Sequence, residues 1–308
     1  MLSVIIFGGM TLGILTHSGL AGSYVLEGLN VWYQYAIPAL FPFMVLSGIM
    51  IKLGLAERAM KIFTPLLGRL YQTNPIENYV ILIGFLCGFP MGARTIAQLI
   101  KEGKLSQRDA KWLLSFCNNL GPAYIIGYLF PLLGFSPSPK YLFGIYGLPL
   151  IYGWVLRRTY YCPKKHAMTS IEKDSVPGNK TIGMASFGSM IWMALRESIE
   201  SAIKSLLTLG GYLVFFCLLN FFPRILFQKP QPILGLLFEI TTGLKAMQGK
   251  HPIMCLCAVT FGGFSCMAQT HEALSCGMFT EAFDEYVLHK VVLTAITFVY
   301  FYACLILI

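Results

Sequence analysis

Nine stretches of at least 15 residues carry no charged side chain: 1–26, 28–51, 78–93, 112–139, 141–156, 181–195, 205–223, 251–271 and 291–308. Together they fill more than half of the 308-residue chain. Several approach or exceed the roughly 20 apolar residues that carry a helix across a bilayer. Charged side chains make up 12% of the sequence, about half the share of a soluble domain. The pattern excludes a soluble enzyme, a disulfide-stapled secreted domain and a disordered chain. It predicts an all-α polytopic membrane protein of about eight transmembrane helices.

The net charge of +9 sits mostly in short connections between apolar segments, which is a topology signal and argues against nucleic-acid binding. Loops 101–111 and 157–180 together hold ten basic residues, whereas the connection 135–140 between them holds one. Both basic loops are therefore expected on the cytosolic side. The nine cysteines fall mainly inside apolar stretches and read as reduced packing residues. Cys255 and Cys257 lack the further ligands of a zinc pattern, so no metal and no cofactor is expected. The first apolar run has no basic segment before it, which predicts a retained span and no cleaved signal peptide.

Along the chain, the expected units are an N-terminal membrane helix (1–27), a first repeat (28–134), a linking helix with a basic cytosolic loop (135–183) and a second repeat (184–308). Pro38 and Pro42 predict a helix start or kink near residue 38. Residues 52–77 and 224–250 alternate charge with apolar groups, which suits interfacial helices or re-entrant pairs. Three apolar segments are interrupted: by Gly88, Pro90 and Gly92, by Asn118, Asn119, Gly121 and Pro122, and by Gly262 and Gly263. Gly88-Phe89, Ala93 and Thr95 match Gly263-Phe264, Ala268 and Thr270 at one offset, which predicts an internal two-fold repeat. Repeated, Gly- or Pro-broken membrane helices point to a secondary transporter.

A backbone break within hydrocarbon persists only where protein, water or a ligand satisfies the freed groups. The three breaks are thus candidate linings of one cavity. The expected substrate-binding residues are Gly88, Pro90, Arg94, Gln98, Asn118, Asn119, Gly121, Ser265 and Gln269, with Thr270 beside them. Arg94 stands in mid-segment, where a charge is costly and functional by default; with a helix N-terminus it favours a carboxylate. Gln98 follows one turn later on the same face. Glu239, in the FEITTG run 238–243, is a candidate for proton or cation coupling or for partnership with Arg94. The alternative for Arg94 is pairing with another acid or reaching the interface; for Glu239 it is a solvated interfacial position. The histidines show no ligand spacing, and no nucleophile or phosphate-binding motif is present, so no catalysis is expected.

The segments ALFPFMVLSGIM (39–50), GFPMGARTIAQLIKEGKLS (88–106), FCNNLGPAYIIG (116–127), EITTG (239–243) and GGFSCMAQ (262–269) resemble the sporulation integral membrane proteins of the nucleoside-recognition (Gate) superfamily, in particular the sporulation stage V type. The likeness runs from about residue 35 to 300. That family usually has Tyr where this chain has Phe89 and Lys where it has Arg94. The resemblance implies a protein of a bacterial endospore-former, distantly related to concentrative nucleoside transporters with paired re-entrant hairpins. It further implies movement of dipicolinic acid across the outer forespore membrane. Dipicolinate, a small aromatic dicarboxylate, suits a cavity with Arg94, two Asn amides and helix N-termini. A nucleoside carrier or receptor, or a non-transporting scaffold that recruits partners through loop 157–180, are the competing expectations.

Overall fold

The computed structural model describes residues 1–162 and 184–306, and among them the chain is helical with no strand. Most of loop 157–180, and the scaffold role expected of it, lies outside the described residues. Helices α1 (Leu2–Thr16), α2 (Ser18–Val31) and α3 (Ile37–Lys52) open the fold. Between α2 and α3, residues Trp32–Ala36 form a π-helical turn in which the Ile37 N–H donates to the Trp32 carbonyl. The expected kink at residue 38 is thus a widened turn placed just before Pro38. Because Pro38 and Pro42 have no N–H to give, the i→i+5 pattern accommodates them without ending the helix. Ser18–Lys52 is therefore one continuous 35-residue rod, and the boundary expected after residue 27 falls inside it.

Two short helices follow, α4 (Leu55–Met60) and α5 (Thr64–Tyr71). They expose Ile62, Leu66 and Leu70, as an interfacial pair should. Next come α6 (Pro75–Cys87) and α7 (Met91–Lys101), then α8 (Gln107–Cys117), and after an extended break α9 (Pro122–Tyr124) and α10 (Phe130–Leu133), joined by a π turn. Helices α11 (Pro139–Leu142) and α12 (Leu148–Thr159), again joined by a π turn, end the first half.

The second half begins with α13 (Met184–Leu219), which packs along both α2 and α3. Then follow α14 (Phe221–Phe227), α15 (Pro232–Phe238), α16 (Ile240–Met247), α17 (Pro252–Phe261), α18 (Gly263–Cys276) and α19 (Phe283–Ile306). Four helical stretches are long and apolar enough to cross a bilayer: Ser18–Lys52, Gly188–Phe227, Pro252–Cys276, which is interrupted at Gly262, and Thr280–Cys304. With the shorter apolar helices they make a multi-pass membrane protein. Leu12, Leu207 and Val299 point outward, which costs nothing in lipid because the tails are as apolar as they are.

Helices α15 and α16 form a hairpin, the paired one of the two arrangements that 224–250 suits. A Cβ on Gly243 would lie 2.4 Å from the Gly235 carbonyl carbon, although eight residues along one helix would separate them by about 12 Å. Helices α6 and α7 also fold back on each other: a Cβ on Gly84 or on Gly92 would meet the same Cys117 carbonyl oxygen, at 2.0 and 2.7 Å. The element order is then hairpin, interrupted span, final span, in each half. The sequence match at 88–95 and 263–270 pairs a hairpin tip with an interrupted span, so it does not align like with like. The order of elements aligns Phe89 with Glu239 and Asn118–Gly121 with Gly262-Gly263 instead.

The end that carries loop 101–111 is bolted by Arg157. It donates to Asp109 Oδ1 at 2.6 Å and to the Tyr71 and Gln72 carbonyls at 3.2 Å, and lies 4.4 Å from the Trp112 ring centroid. Arg108 reaches the Tyr160 carbonyl at 3.2 Å, so loop 101–111 and the start of 157–180 share one side. Tyr161 donates to Glu285 there; burial first, and the adjoining carboxylate second, raise the pKa of its hydroxyl and keep it a donor.

Candidate functional site

Both hairpin tips converge on the break between α17 and α18. Gly262 and Gly263 have φ of 89° and 73°, a left-handed pair that glycine adopts freely. A Cβ on Gly262 would come within 2.9 Å of the Phe89 ring, at the tip of the first hairpin. A Cβ on Gly263 would come within 3.1 Å of the Leu236 carbonyl, near the tip of the second. The other break meets the first hairpin as closely, since a Cβ on Gly88 would lie 2.4 Å from the Gly121 amide nitrogen. Gly88, Pro90 and Gly121 therefore shape backbone contact between the tip and the broken span.

The unwound residues Asn118 and Asn119 are 0% and 4% exposed. The Asn118 amide donates to Thr270 Oγ1 at 2.9 Å and to the Tyr286 hydroxyl at 3.2 Å, while its Oδ1 accepts the Ala93 N–H at 3.4 Å. It thus ties α7, the first break, α18 and α19 together. Asn119 donates to the Phe116 carbonyl at 2.6 Å, satisfying one of the acceptors that α8 leaves free at its C-terminus.

The Oδ1 of Asn119 accepts from Lys290 Nζ at 3.0 Å. Lys290 is fully buried on α19 and is the functional candidate that sequence reasoning missed. Its ammonium also donates to the Thr260 carbonyl at 3.3 Å, an acceptor freed because the Gly262-Gly263 break removes the next turn of helix. The Phe89 ring centroid lies 4.7 Å away. Among the described residues Lys290 forms no ion pair. Its amine is held by an amide oxygen, a carbonyl and two aromatic rings, the second being that of Tyr286 at 5.9 Å. Lys290 immediately precedes the uncharged stretch 291–308 and belongs to none of the three interrupted segments. The apolar residues Tyr286, Val287 and Leu288 before it were the signal that placed it inside.

Arg94 does not join this cluster. It donates through Nη2 to the Ser201 carbonyl and hydroxyl, each at 2.8 Å, toward α13. Gln98 donates to Glu102 at 3.0 Å, and both line a small cavity against α3 and α13. The cause is the helical period, which turns each residue about 100° from the last. Ala93 and Ala97 face Asn118 and Gly277, so Arg94 and Gln98 face elsewhere. One cavity lined by all the expected residues is therefore not formed.

Ser265 and Gln269 are spent on each other, Nε2 to Oγ at 3.0 Å, while Thr270 bridges to Asn118. Glu239 is 1% exposed at the tip of the second hairpin. Its carboxylate accepts the Thr242 N–H at 2.8 Å and caps α16; it is neither solvated nor paired with Arg94. Tyr124 and Tyr128 donate to Thr241 Oγ1 and to the Thr241 carbonyl, at 3.2 and 2.9 Å, tying that tip to the first broken span. Among the described residues no group of three His, Cys, Asp or Glu could hold a metal ion.

Residues 34–136 match the family model described as nucleoside recognition, the Gate domain. That stretch takes in the first hairpin and the first broken span, but not Glu239 or Lys290. The chain is 24% identical over 301 residues, covering 86% of it and 73% of the relative, to the sporulation integral membrane protein YlbJ of Bacillus subtilis (strain 168). No solved structure matches it.

Proposed function

We propose that this multi-pass chain, a Gate-domain protein by its residues 34–136, is a carrier of a small anionic metabolite. Its leading substrate is dipicolinate, moved across the outer forespore membrane during sporulation. The observation that carries the reading is the buried amine of Lys290, held by the first interrupted span, the end of α17 and the Phe89 tip of the first hairpin, next to the Gly262-Gly263 break that the second hairpin meets, with no carboxylate paired to it among the described residues. Broken helices near mid-membrane are how secondary carriers present backbone groups to a substrate. Lys290 and the Asn118 and Asn119 amides would receive a carboxylate, and Glu239, alone at the second tip, would couple transport to a proton or cation. The likeness to a sporulation integral membrane protein supports the cellular setting. No chemistry on the substrate is proposed.

The test is uptake of labelled dipicolinate into proteoliposomes. Wild type should exceed empty liposomes, Lys290→Met should abolish uptake, and the exposed-surface variant Arg196→Ala should match wild type. No uptake by wild type refutes the function; undiminished uptake by Lys290→Met refutes the site. The Gate description favours a second reading, a nucleoside carrier. Inhibition by uridine or adenosine, with dipicolinate ineffective, would select it.

A further inference from the structure

The cavity beside Arg94 stands apart from the central cluster and has its own chemistry. It offers about 50 Å³ between α3, α7 and α13, whereas one water-sized particle needs about 10–15 Å³. Thr95 and Ser198 line it. Each is 2% exposed, and neither hydroxyl has a hydrogen-bond partner among the described residues. Buried hydroxyls are rarely left so, because the lost hydration is not repaid.

The charges around the cavity are unevenly matched. Lys52 pairs with Glu197 and Lys104 with Glu102, but Arg94 forms no ion pair among the described residues, and its guanidinium donates to a neutral residue, Ser201. The site therefore combines an uncompensated guanidinium, two free hydroxyl donors and a small volume lined by all three. Those are the requirements of a compact anion, and the volume is far below the roughly 300 Å³ or more of an organic ligand pocket.

We propose that a single halide-sized anion binds here, held by the Arg94 guanidinium and the Thr95 and Ser198 hydroxyls. It neutralises a charge that would otherwise stand alone within the membrane. Lys52 lines both this cavity and an outer pocket of about 310 Å³ that includes Glu102, Met193 and Glu197. The Lys52–Glu197 ion pair thus stands between them, and the anion enters past it from the side of loop 101–111.

The test is the unfolding temperature of the purified full-length protein in potassium chloride, bromide or gluconate at equal ionic strength. Chloride and bromide should raise it in a saturating manner and gluconate should not. Thr95→Val, which keeps the shape and removes the hydroxyl, should raise the half-saturating chloride concentration about ten-fold, the cost of one hydrogen bond to a charged partner. Ser198→Ala should act alike. Bromide-soaked crystals of the wild type give a measurement independent of any variant, with an anomalous peak expected beside the guanidinium. Equal stabilisation by chloride and gluconate, an unchanged half-saturation in Thr95→Val, or the lack of that peak would overturn the proposal. A protein that moves no dipicolinate but shows the bromide peak supports it, since the site is argued without the carrier reading.

Discussion

The two hairpins reach the same break by different means. The first is seated backbone on backbone: Gly84, Gly88 and Gly92 bring α6 and α7 against the carbonyls and amides of residues 117–121. The second closes on itself where Gly235 meets Gly243, and besides Gly263 it holds its neighbours through side-chain groups: the tyrosine hydroxyls, the Asn220–Thr242 bond at 3.4 Å and the Lys245–Glu27 ion pair at 3.1 Å. Its tip is one charged residue, Glu239, where the first has the apolar Phe89. A contact between backbones cannot adjust, while a hydroxyl can change partner. The first hairpin is thereby built as part of the frame and the second as the part that can yield.

The sharpest way to break that contrast is Gly84→Ala. The new methyl would stand 2.0 Å from the Cys117 carbonyl oxygen, and neither backbone can retreat without disturbing Asn118. Overpacking typically costs about 1–3 kcal/mol, and a backbone obstacle should take this case to the top of that range or past it. The variant is expected to lose most of its folded yield in size-exclusion profiles. Gly8→Ala, where nothing lies within 4 Å, should leave that yield unchanged.

Next in size is Lys290→Met, beside the Phe89 tip of the first hairpin and the break that the second hairpin meets. It strands Asn119 Oδ1 and the Thr260 carbonyl, each at about 1–3 kcal/mol, offset in part by relief of a buried charge. The unfolding temperature should fall moderately while dipicolinate uptake disappears. A variant with wild-type uptake would show that convergence of the tips does not define the site.

Glu239 separates the tips by charge and is the third test. Glu239→Gln keeps an oxygen for the Thr242 N–H, so stability should stay near wild type while uptake loses its response to an imposed pH gradient. Glu239→Leu removes the cap as well and should cost about 0.5–2 kcal/mol. If the Gln variant retains the gradient response, the coupling role fails even though the cap stands.

Much of this was legible from residues alone. The breaks at 88–90, 118–121 and 262–263 announce themselves because Gly, Pro and Asn are costly inside membrane helices unless something satisfies the backbone. Asn118 and Asn119, expected as substrate-binding residues, are buried and hydrogen-bonded within the protein. What failed was facing and rank among charges. Arg94 was placed mid-segment, but one sequence does not reveal which neighbour lies 100° round the helix, and here α13 does. Lys290 belongs to none of the three breaks, and only the packing of α19, which begins at Phe283 and carries it two turns inward, brings it to Asn119. For the second hairpin, residues 224–250 suit an interfacial helix as well as a re-entrant pair, because Lys245 and Lys250 fit the first; close approach of Gly235 and Gly243 is a tertiary fact with no local signature.

The smallest effect is also the most specific. Tyr128 donates to the Thr241 carbonyl on the second hairpin at 2.9 Å, and Tyr146 donates to the Leu120 carbonyl in the first break at 3.0 Å. Removing either hydroxyl with Phe should cost about 1 kcal/mol, the worth of one ordinary hydrogen bond. The two losses should be felt in different places. In Tyr128→Phe, amide hydrogen exchange should quicken over 232–247, because a hairpin held by hydroxyls opens locally when one is lost. In Tyr146→Phe, exchange over 75–101 should stay slow, because glycine-seated backbone contacts hold that hairpin whatever becomes of the hydroxyl. Equal quickening of both hairpins, in either variant, would mean that they are held alike.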